Sequence, residues 1–179
     1  MLHEIVMAGF GGQGVMVMGL LMTYAGMLEG KNVSWIPSYG PEMRGGTSNC
    51  TVIVSDKEIA SPVVGEPSAV VAMNAPSMEK FGSKVKPGGV LLYNSSLITE
   101  PLKRSDITQV GIPANELAAE LGNSKIANVI ALGALLELTR AVSLESARAS
   151  LKKVLPAHRQ ELIPINEAAL EKGAASVKR

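Results

Sequence analysis

Only one cysteine, Cys50, occurs in 179 residues. One thiol cannot build a disulfide framework, a zinc site or an iron–sulfur cluster. Its place at the start of an apolar run reads as a buried, unreactive thiol. Aromatic residues make up 3% of the chain, too few for a base-stacking platform. Charged residues make up 18%, below the usual quarter or so. With so little charge to cover its surface, part of an apolar face is expected to be covered by another chain. The net charge of +1 and pI of about 7.8 give no case for nucleic acid or an acidic membrane as partner. Of the two histidines, His3 is terminal and His158 lies in a basic stretch, so neither is a persuasive general base. The inventory suggests no Ser-His-Asp set, no paired carboxylates and no metal-ligand spacing.

Long uncharged runs are also scarce. Residues 5–28 carry no charged side chain, which a hydropathy window flags as a span. Gly9, Gly11, Gly12, Gln13 and Gly14 interrupt that run and leave about fourteen apolar-rich residues, too short to cross a bilayer. The N-terminus has His3 and Glu4 in place of a Lys/Arg cluster, unlike a signal peptide. A soluble, cytoplasmic chain is expected, with residues 1–179 forming one domain.

What is present begins with Glu4–Ala8, a short apolar run read as a buried strand. Gly9-Phe10-Gly11-Gly12-Gln13-Gly14 follows, then Val15–Glu29, read as a helix ended by Gly30. Gly9, Gly11 and Gly14 match G-x-G-x-x-G, the opening of a βαβ unit. Such glycines allow a tight turn and let a phosphate approach the free N–H groups of the helix start. Two readings stand for this turn: an anion or phosphate site, or a purely structural bend. Conventional dinucleotide binding is disfavoured, because the ribose-binding acid should close the second strand. That strand ends in Ile36-Pro37-Ser38, and Glu29 lies before it. The first helix is apolar on every face, so it is expected to be covered on more than one side, by core or by another subunit.

Residues 35–50, between the strand-like runs Val33–Ile36 and Cys50–Val54, are the most distinctive stretch. They are read as a loop, too rich in turn residues to be helix or strand. Six charged side chains occur in residues 1–56, and this loop holds two of them, Glu42 and Arg44. Scarce charge on a shaped backbone reads as a binding or docking loop, against the alternative of an ordinary solvated one. Thr51–Ser55 reads as a strand, Glu58–Ala60 as a short returning strand, and Ala69–Met73 and Val90–Tyr93 as strands closed by Asn74 and Asn94. Residues 76–82 read as a short helix. In an open α/β sheet, Gly9, Asn74 and Asn94 share the carboxyl edge where ligands bind. Asp106–Gly111 is expected to be another strand and Ala114–Leu121 a helix opened by Pro113. Ser124 is read as the cap of Lys125–Arg140, and Ser143 as that of Leu144–Leu155. Pro164 leads into a last helix ending near Gly173, with Ala174–Arg179 frayed. Asn128, on an otherwise apolar face, must find hydrogen-bond partners, within the fold or on a ligand. The expected fold is three-layer α/β/α, Rossmann-like, with a largely parallel sheet and helices on both faces.

The turn Gly9–Gly14, the stretch Pro37-Ser38-Tyr39-Gly40-Pro41-Glu42-Met43-Arg44-Gly45-Gly46, and Asn128 with Leu132-Gly133-Ala134-Leu135 together resemble the gamma subunit of 2-oxoacid:ferredoxin oxidoreductases. The same unit occurs as one domain of single-chain pyruvate:ferredoxin oxidoreductases. The resemblance runs from about residue 3 to residue 170, and the loop is its specific part. It implies an oxidoreductase complex that decarboxylates a 2-oxoacid on thiamine diphosphate with Mg. Electrons would then pass through 4Fe–4S clusters to ferredoxin, and an acyl-CoA would form. This chain has neither the Gly-Asp-Gly segment used with thiamine diphosphate nor cluster cysteines. Those parts are expected on thiamine-binding alpha and beta subunits and a ferredoxin-like cluster subunit. For this chain the resemblance implies subunit packing, no activity alone, and help in placing coenzyme A. The tentative phosphate or coenzyme A contacts are Gly11, Gly12, Gln13, Gly14 and Arg44. Ser38, Tyr39, Gly40, Pro41, Glu42, Met43, Gly45 and Gly46 form the docking or site loop. The wording of that loop is more like the 2-oxoglutarate and branched-chain members than the pyruvate ones. The rival readings are a free-standing nucleotide- or flavin-binding Rossmann-like protein and a purely structural subunit without a ligand.

Overall fold

The computed structural model describes residues 1–40 and 46–177. Six strands form one sheet: β1 (Leu2–Phe10), β2 (Asn32–Tyr39), β3 (Thr47–Ser55), β4 (Ala69–Ala72), β5 (Val90–Asn94) and β6 (Thr108–Ile112), in the order β2-β3-β1-β4-β5-β6. Pairing is parallel from β1 through β4 and β5 to β6. β3 runs antiparallel to both β1 and β2. The sheet is therefore mixed, an α/β fold with five strands pointing one way and a β2–β3 hairpin on one side of β1.

The helices are α1 (Val15–Leu28), α2 (Ala75–Ser77), α3 (Ala114–Glu120), α4 (Ala127–Thr139), α5 (Leu144–Val154) and α6 (Ile163–Val177). The two faces are unequally covered. Alternate residues of the strands, among them Ile5, Met7, Val52, Val54, Val71 and Leu92, pack beneath the longer helices in the main core. The other set, Val6, Ala8, Val70, Ala72 and Leu91, packs against Met78, Val85 and Ile98. Among the described residues the helical cover on that side is α2 and the π-helical turn Met78–Gly82 that continues it. This period-two division follows from strand geometry, which sends successive side chains to opposite faces.

Several sequence expectations need correction. The stretch 35–50 is mostly strand: β2 extends through Pro37 and Ser38 to Tyr39, and β3 begins at Thr47. Pro37 is tolerated because β2 is an edge strand. Glu58–Ala60 is not a strand. The start of α4 is a 3-10 turn, Ser124–Ile126, capped by Asn123, whose side chain accepts from the Lys125 N–H at 3.0 Å; Ser124 is not the cap. The last helix continues to Val177. The Ser143 cap of α5 is present, with its Oγ accepting from the Ser146 N–H at 3.1 Å. The uncharged run 5–28 is β1, the glycine turn and α1, and among the described residues no helix is long and apolar enough to cross a membrane. α1 is buried on one side only: Val17, Leu20 and Tyr24 stay half-exposed, and Met27 and Leu28 are exposed.

Glu29 has a role unrelated to any nucleotide. One carboxylate oxygen accepts from the Ser143 N–H at 2.7 Å, and the other pairs with Lys31 Nζ at 2.7 Å. Lys31 Nζ also donates to the Ala141 carbonyl at 2.8 Å. The pair thus ties the end of α1 to the turn between α4 and α5. Burial pushes the Glu29 pKa up. The Lys31 ammonium, the Ser143 N–H and the Ser146 and Ser143 hydroxyls outweigh burial and hold it at about 2. A depressed folded-state pKa contributes stability above the ordinary value of 4.5, and that contribution is lost as pH falls toward about 2. Glu29→Gln is expected to cost about 1–2 kcal/mol at pH 7, after allowance for solvent screening. Thermal midpoints of the two proteins, measured from pH 6 down to pH 2, should converge across that window. A gap that stays constant over the range refutes the assignment.

Candidate functional site

The site is built where β1 ends. On one side of β1 the chain continues through α1 to the hairpin, and on the other lies β4, so this carboxyl edge is a topological switch point of the kind where α/β sheets bind ligands. Gly12 and Gly14 adopt left-handed backbone angles, φ 98° and 74°, which only glycine takes without strain. A side chain at Gly14 would also collide with Asn128, whose Nδ2 would lie 2.4 Å from the added Cβ.

Gln13 makes three hydrogen bonds within the fold. Its Oε1 accepts from the Phe10 N–H at 2.7 Å and from Asn74 Nδ2 at 3.0 Å. Its Nε2 donates to the Met73 carbonyl at 3.2 Å. The carboxamide therefore brackets the ends of β1 and β4 and fixes the turn. Asn74 completes the bracket and caps α2, accepting from the Ser77 N–H at 2.9 Å. Asn94 sits at the same edge, bonded to Asn115 and to the Ala114 N–H. Gly9, Asn74 and Asn94 do lie along one sheet edge, and both asparagines have structural partners.

Asn128 is buried on α4, and its Nδ2 donates to the Gly14 carbonyl at 3.1 Å. That carbonyl also accepts the Met18 N–H at 3.1 Å, so Asn128 pins the first turn of α1. Its Oδ1 is buried and has no partner. A cavity of about 220 Å³ opens between the starts of α1 and α4, with Gly12, Gln13, Met73, Asn115, Lys125 and Asn128 in its wall. Among the described residues no acidic side chain lines it. Larger hollows lie elsewhere, including one of about 540 Å³ beside Glu29 and Arg140. That one is walled by the Glu29–Lys31 pair after α1 and the Arg140–Glu137 pair at the end of α4, whereas the small cavity is at the switch point.

The loop expected to dock or bind adjoins the turn. The Gly11 N–H donates to the Gly46 carbonyl at 2.8 Å, and the Gly40 N–H to the Thr47 carbonyl at 2.8 Å. The Gly11 N–H thus joins the turn to the start of the segment that leads into β3. Ser38 and Tyr39 are exposed at the end of β2. Pro41, Glu42, Met43, Arg44 and Gly45 lie outside the described residues. Lys125 and Asn115 escaped sequence reasoning, because a lysine opening a helix carries no local signal; only the approach of α4 to the glycine turn brings it in.

Cys50 is buried, and burial pushes its pKa up to about 12 despite the Trp35 side chain and the Gly19 backbone, which lower it. A lone, sealed thiol cannot hold an iron–sulfur cluster. Among the described residues no group of three His, Cys, Asp or Glu could hold a metal ion.

The chain is similar to several known proteins. The ketoisovalerate oxidoreductase subunit VorA of Methanothermobacter thermautotrophicus is 40% identical over 172 residues, which are 96% of this chain and 35% of that protein. This chain thus spans about a third of that relative's length. The gamma subunit of the keto/oxoacid ferredoxin oxidoreductase of Geobacter sulfurreducens matches at 32% identity with a TM-score of 0.83, over 97% of both chains. The 2-oxoglutarate:ferredoxin oxidoreductase of Magnetococcus marinus, solved with 2-oxoglutarate, coenzyme A and succinyl-CoA bound, matches at 25% identity with a TM-score of 0.88; the overlap covers 99% of this chain and 32% of that one. The family model for pyruvate ferredoxin/flavodoxin oxidoreductase matches residues 4–176, and the chain belongs to that family.

Proposed function

We propose that this chain is the gamma-type subunit of a 2-oxoacid:ferredoxin oxidoreductase, packing on thiamine-binding subunits and helping to place coenzyme A. The observation that carries the subunit reading is the match over 97% of both chains to the Geobacter gamma subunit. The VorA and Magnetococcus relatives hold the same unit within chains about three times as long. Thiamine diphosphate with Mg is read as held by alpha and beta subunits, and the 4Fe–4S clusters that reduce ferredoxin by a ferredoxin-like subunit, since the lone Cys50 cannot hold a cluster. The apolar strip of half-exposed Val17, Leu20 and Tyr24 with exposed Met27 and Leu28, only partly covered by the described residues, is in keeping with a subunit contact.

The substrate is read as 2-oxoglutarate or a branched-chain 2-oxoacid ahead of pyruvate. The names of the VorA and Magnetococcus relatives support that order. In the co-expressed complex, dye reduction with those acids should exceed that with pyruvate; a pyruvate preference overturns the reading. Coenzyme A placement rests on the glycine turn with its left-handed Gly12 and Gly14, and on the chemistry of Arg44, a guanidinium suited to phosphate. Arg44→Ala is expected to raise the apparent KM for coenzyme A by about tenfold with kcat little changed. Unaltered coenzyme A kinetics make the loop a docking element only.

A further inference from the structure

α1 carries no charged side chain from Val15 to Leu28. Its inner side is seated closely on the β2–β3 hairpin. A Cβ on Gly19 would meet Cys50 Sγ at 2.5 Å and Trp35 Nε1 at 2.7 Å, and one on Gly26 would meet Val33 at 2.6 Å. That seating turns the opposite side outward as a stripe, Val17, Leu20, Tyr24 and Met27, flanked by Met16 and Leu28. Steps of three, four and three residues are the a and d spacing of a helix that packs along another helix. Met16 and Val17 still touch the main core, but Leu20 and Tyr24 pack on neither core. Among the described residues the seam has one wall.

A seam alone does not name its partner; the two ends of the helix do. α1 starts at Gly14 without a side-chain cap, with no acidic residue in its first turn and no basic residue in its last. Its partial charges, positive at the start and negative at the end, are therefore not offset by its own side chains. A copy of the same helix lying antiparallel offsets both, start against end. The spacing fits that orientation. About a twofold axis beside residue 22, Val17 of each copy faces Met27 of the other, and Leu20 faces Tyr24, the shorter side chain against the longer each time. A stripe without charge also sets no like charges against each other when it meets itself.

We propose that α1 is a self-pairing surface: two copies of this chain associate through antiparallel contact of their α1 stripes, centred between Leu20 and Tyr24. Self-pairing names the occupant of the subunit contact described above, and it rests on that reading only for its place in a larger complex. About six side chains a side take part, against roughly 20–30 residues a side in a standard stable interface. The pair on its own is therefore weak, with a Kd on the order of 10 µM, and is reinforced where other subunits hold two copies together.

The test is sedimentation equilibrium of the full chain at concentrations on both sides of that constant. Wild type should rise toward twice the 18.7 kDa of one chain. Leu20→Lys, at a half-exposed position off both cores, should keep the wild-type circular dichroism and weaken pairing by tenfold or more. Val63→Lys is the control: Val63 is 78% exposed and off α1, and the variant should pair like wild type. Orientation is read with a short thiol cross-linker. A mixture of Val17→Cys and Met27→Cys chains should link, whereas each alone should not, since like positions stand about 15 Å apart along an antiparallel pair. Cys50 is buried and does not compete. A wild type that stays at the mass of one chain refutes the proposal, as does a Leu20→Lys pair as tight as wild type. Linking within Val17→Cys alone, with no mixed product, refutes the antiparallel arrangement. If the chain is monomeric yet captures thiamine- and iron-bearing partners, self-pairing falls and the subunit reading stands. If it pairs and captures no such partner, the subunit reading falls and self-pairing stands.

Discussion

Gly173→Ala is expected to lower stability more than any surface change in the chain, by about 3 kcal/mol or more. α4 and α6 cross at Gly133 and Gly173. A Cβ on Gly173 would stand 1.9 Å from the Ile130 carbonyl oxygen, and one on Gly133 would stand 2.1 Å from that of Leu170. Both obstacles are backbone atoms of the facing helix, so no side-chain rotation relieves them. The helices must move apart, and the buried Ile130, Leu132, Ala169 and Leu170 lose contact with their neighbours. For a domain of this size the melting midpoint should fall by roughly 6–12 °C. Gly122→Ala is the comparison: its left-handed φ of 81° is strained by a side chain, but nothing lies near the added Cβ, so its cost is about 1 kcal/mol. Equal losses for Gly173→Ala and Gly122→Ala would mean that the close crossing is not what Gly173 provides.

Gly14→Ala should strike function harder than stability. The substitution forces a left-handed residue at φ 74° and drives a methyl into the Asn128 carboxamide. Breaking the Asn128–Gly14 bond moves the glycine turn and the first turn of α1 that follows it. In the assembled complex the KM for coenzyme A should rise by tenfold or more. Adding Asn128→Ala removes the collision and should recover part of the lost thermal stability. It cannot recover coenzyme A use, since the strained φ and the missing clamp remain. Full recovery of both in the double variant would show that the turn is only a steric spacer.

Local patterns were readable where the physics is local. β1, the glycine turn and α1 follow from an apolar run, closely spaced glycines and a second apolar run. The Ser143 cap follows from one hydroxyl three residues before a helical N–H. The motif resemblance carried the family, because the loop wording is specific even where its geometry was misread. β2 and β3 reach into residues 35–50 despite Pro37, since an edge strand tolerates a missing donor and the pairing with Thr47–Ser55 overrides the turn-like composition. What the sequence could not disclose were bonds between distant residues. Gln13 looked like a ligand contact, but Asn74, 61 positions away, takes its oxygen. Glu29 looked like a misplaced ribose acid and is a clamp on Ser143, 114 positions away. Lys125 became part of a site only through the contact between Asn128 and Gly14. Such contacts depend on how the ends of β1 and β4, the two ends of α1, α4 and the turn before α5 come together, which no local window contains.

The central claim is that this chain works as a subunit among thiamine- and cluster-bearing partners. The most direct measurement is co-expression with the neighbouring reading frames, affinity capture through this chain, and assay of the captured material for thiamine diphosphate, iron and coenzyme A-dependent oxidation of 2-oxoacids. A stable complex that contains thiamine diphosphate and iron, with activity that needs coenzyme A, is the predicted result. Recovery of this chain alone, soluble and carrying a bound nucleotide or flavin, would contradict the subunit assignment.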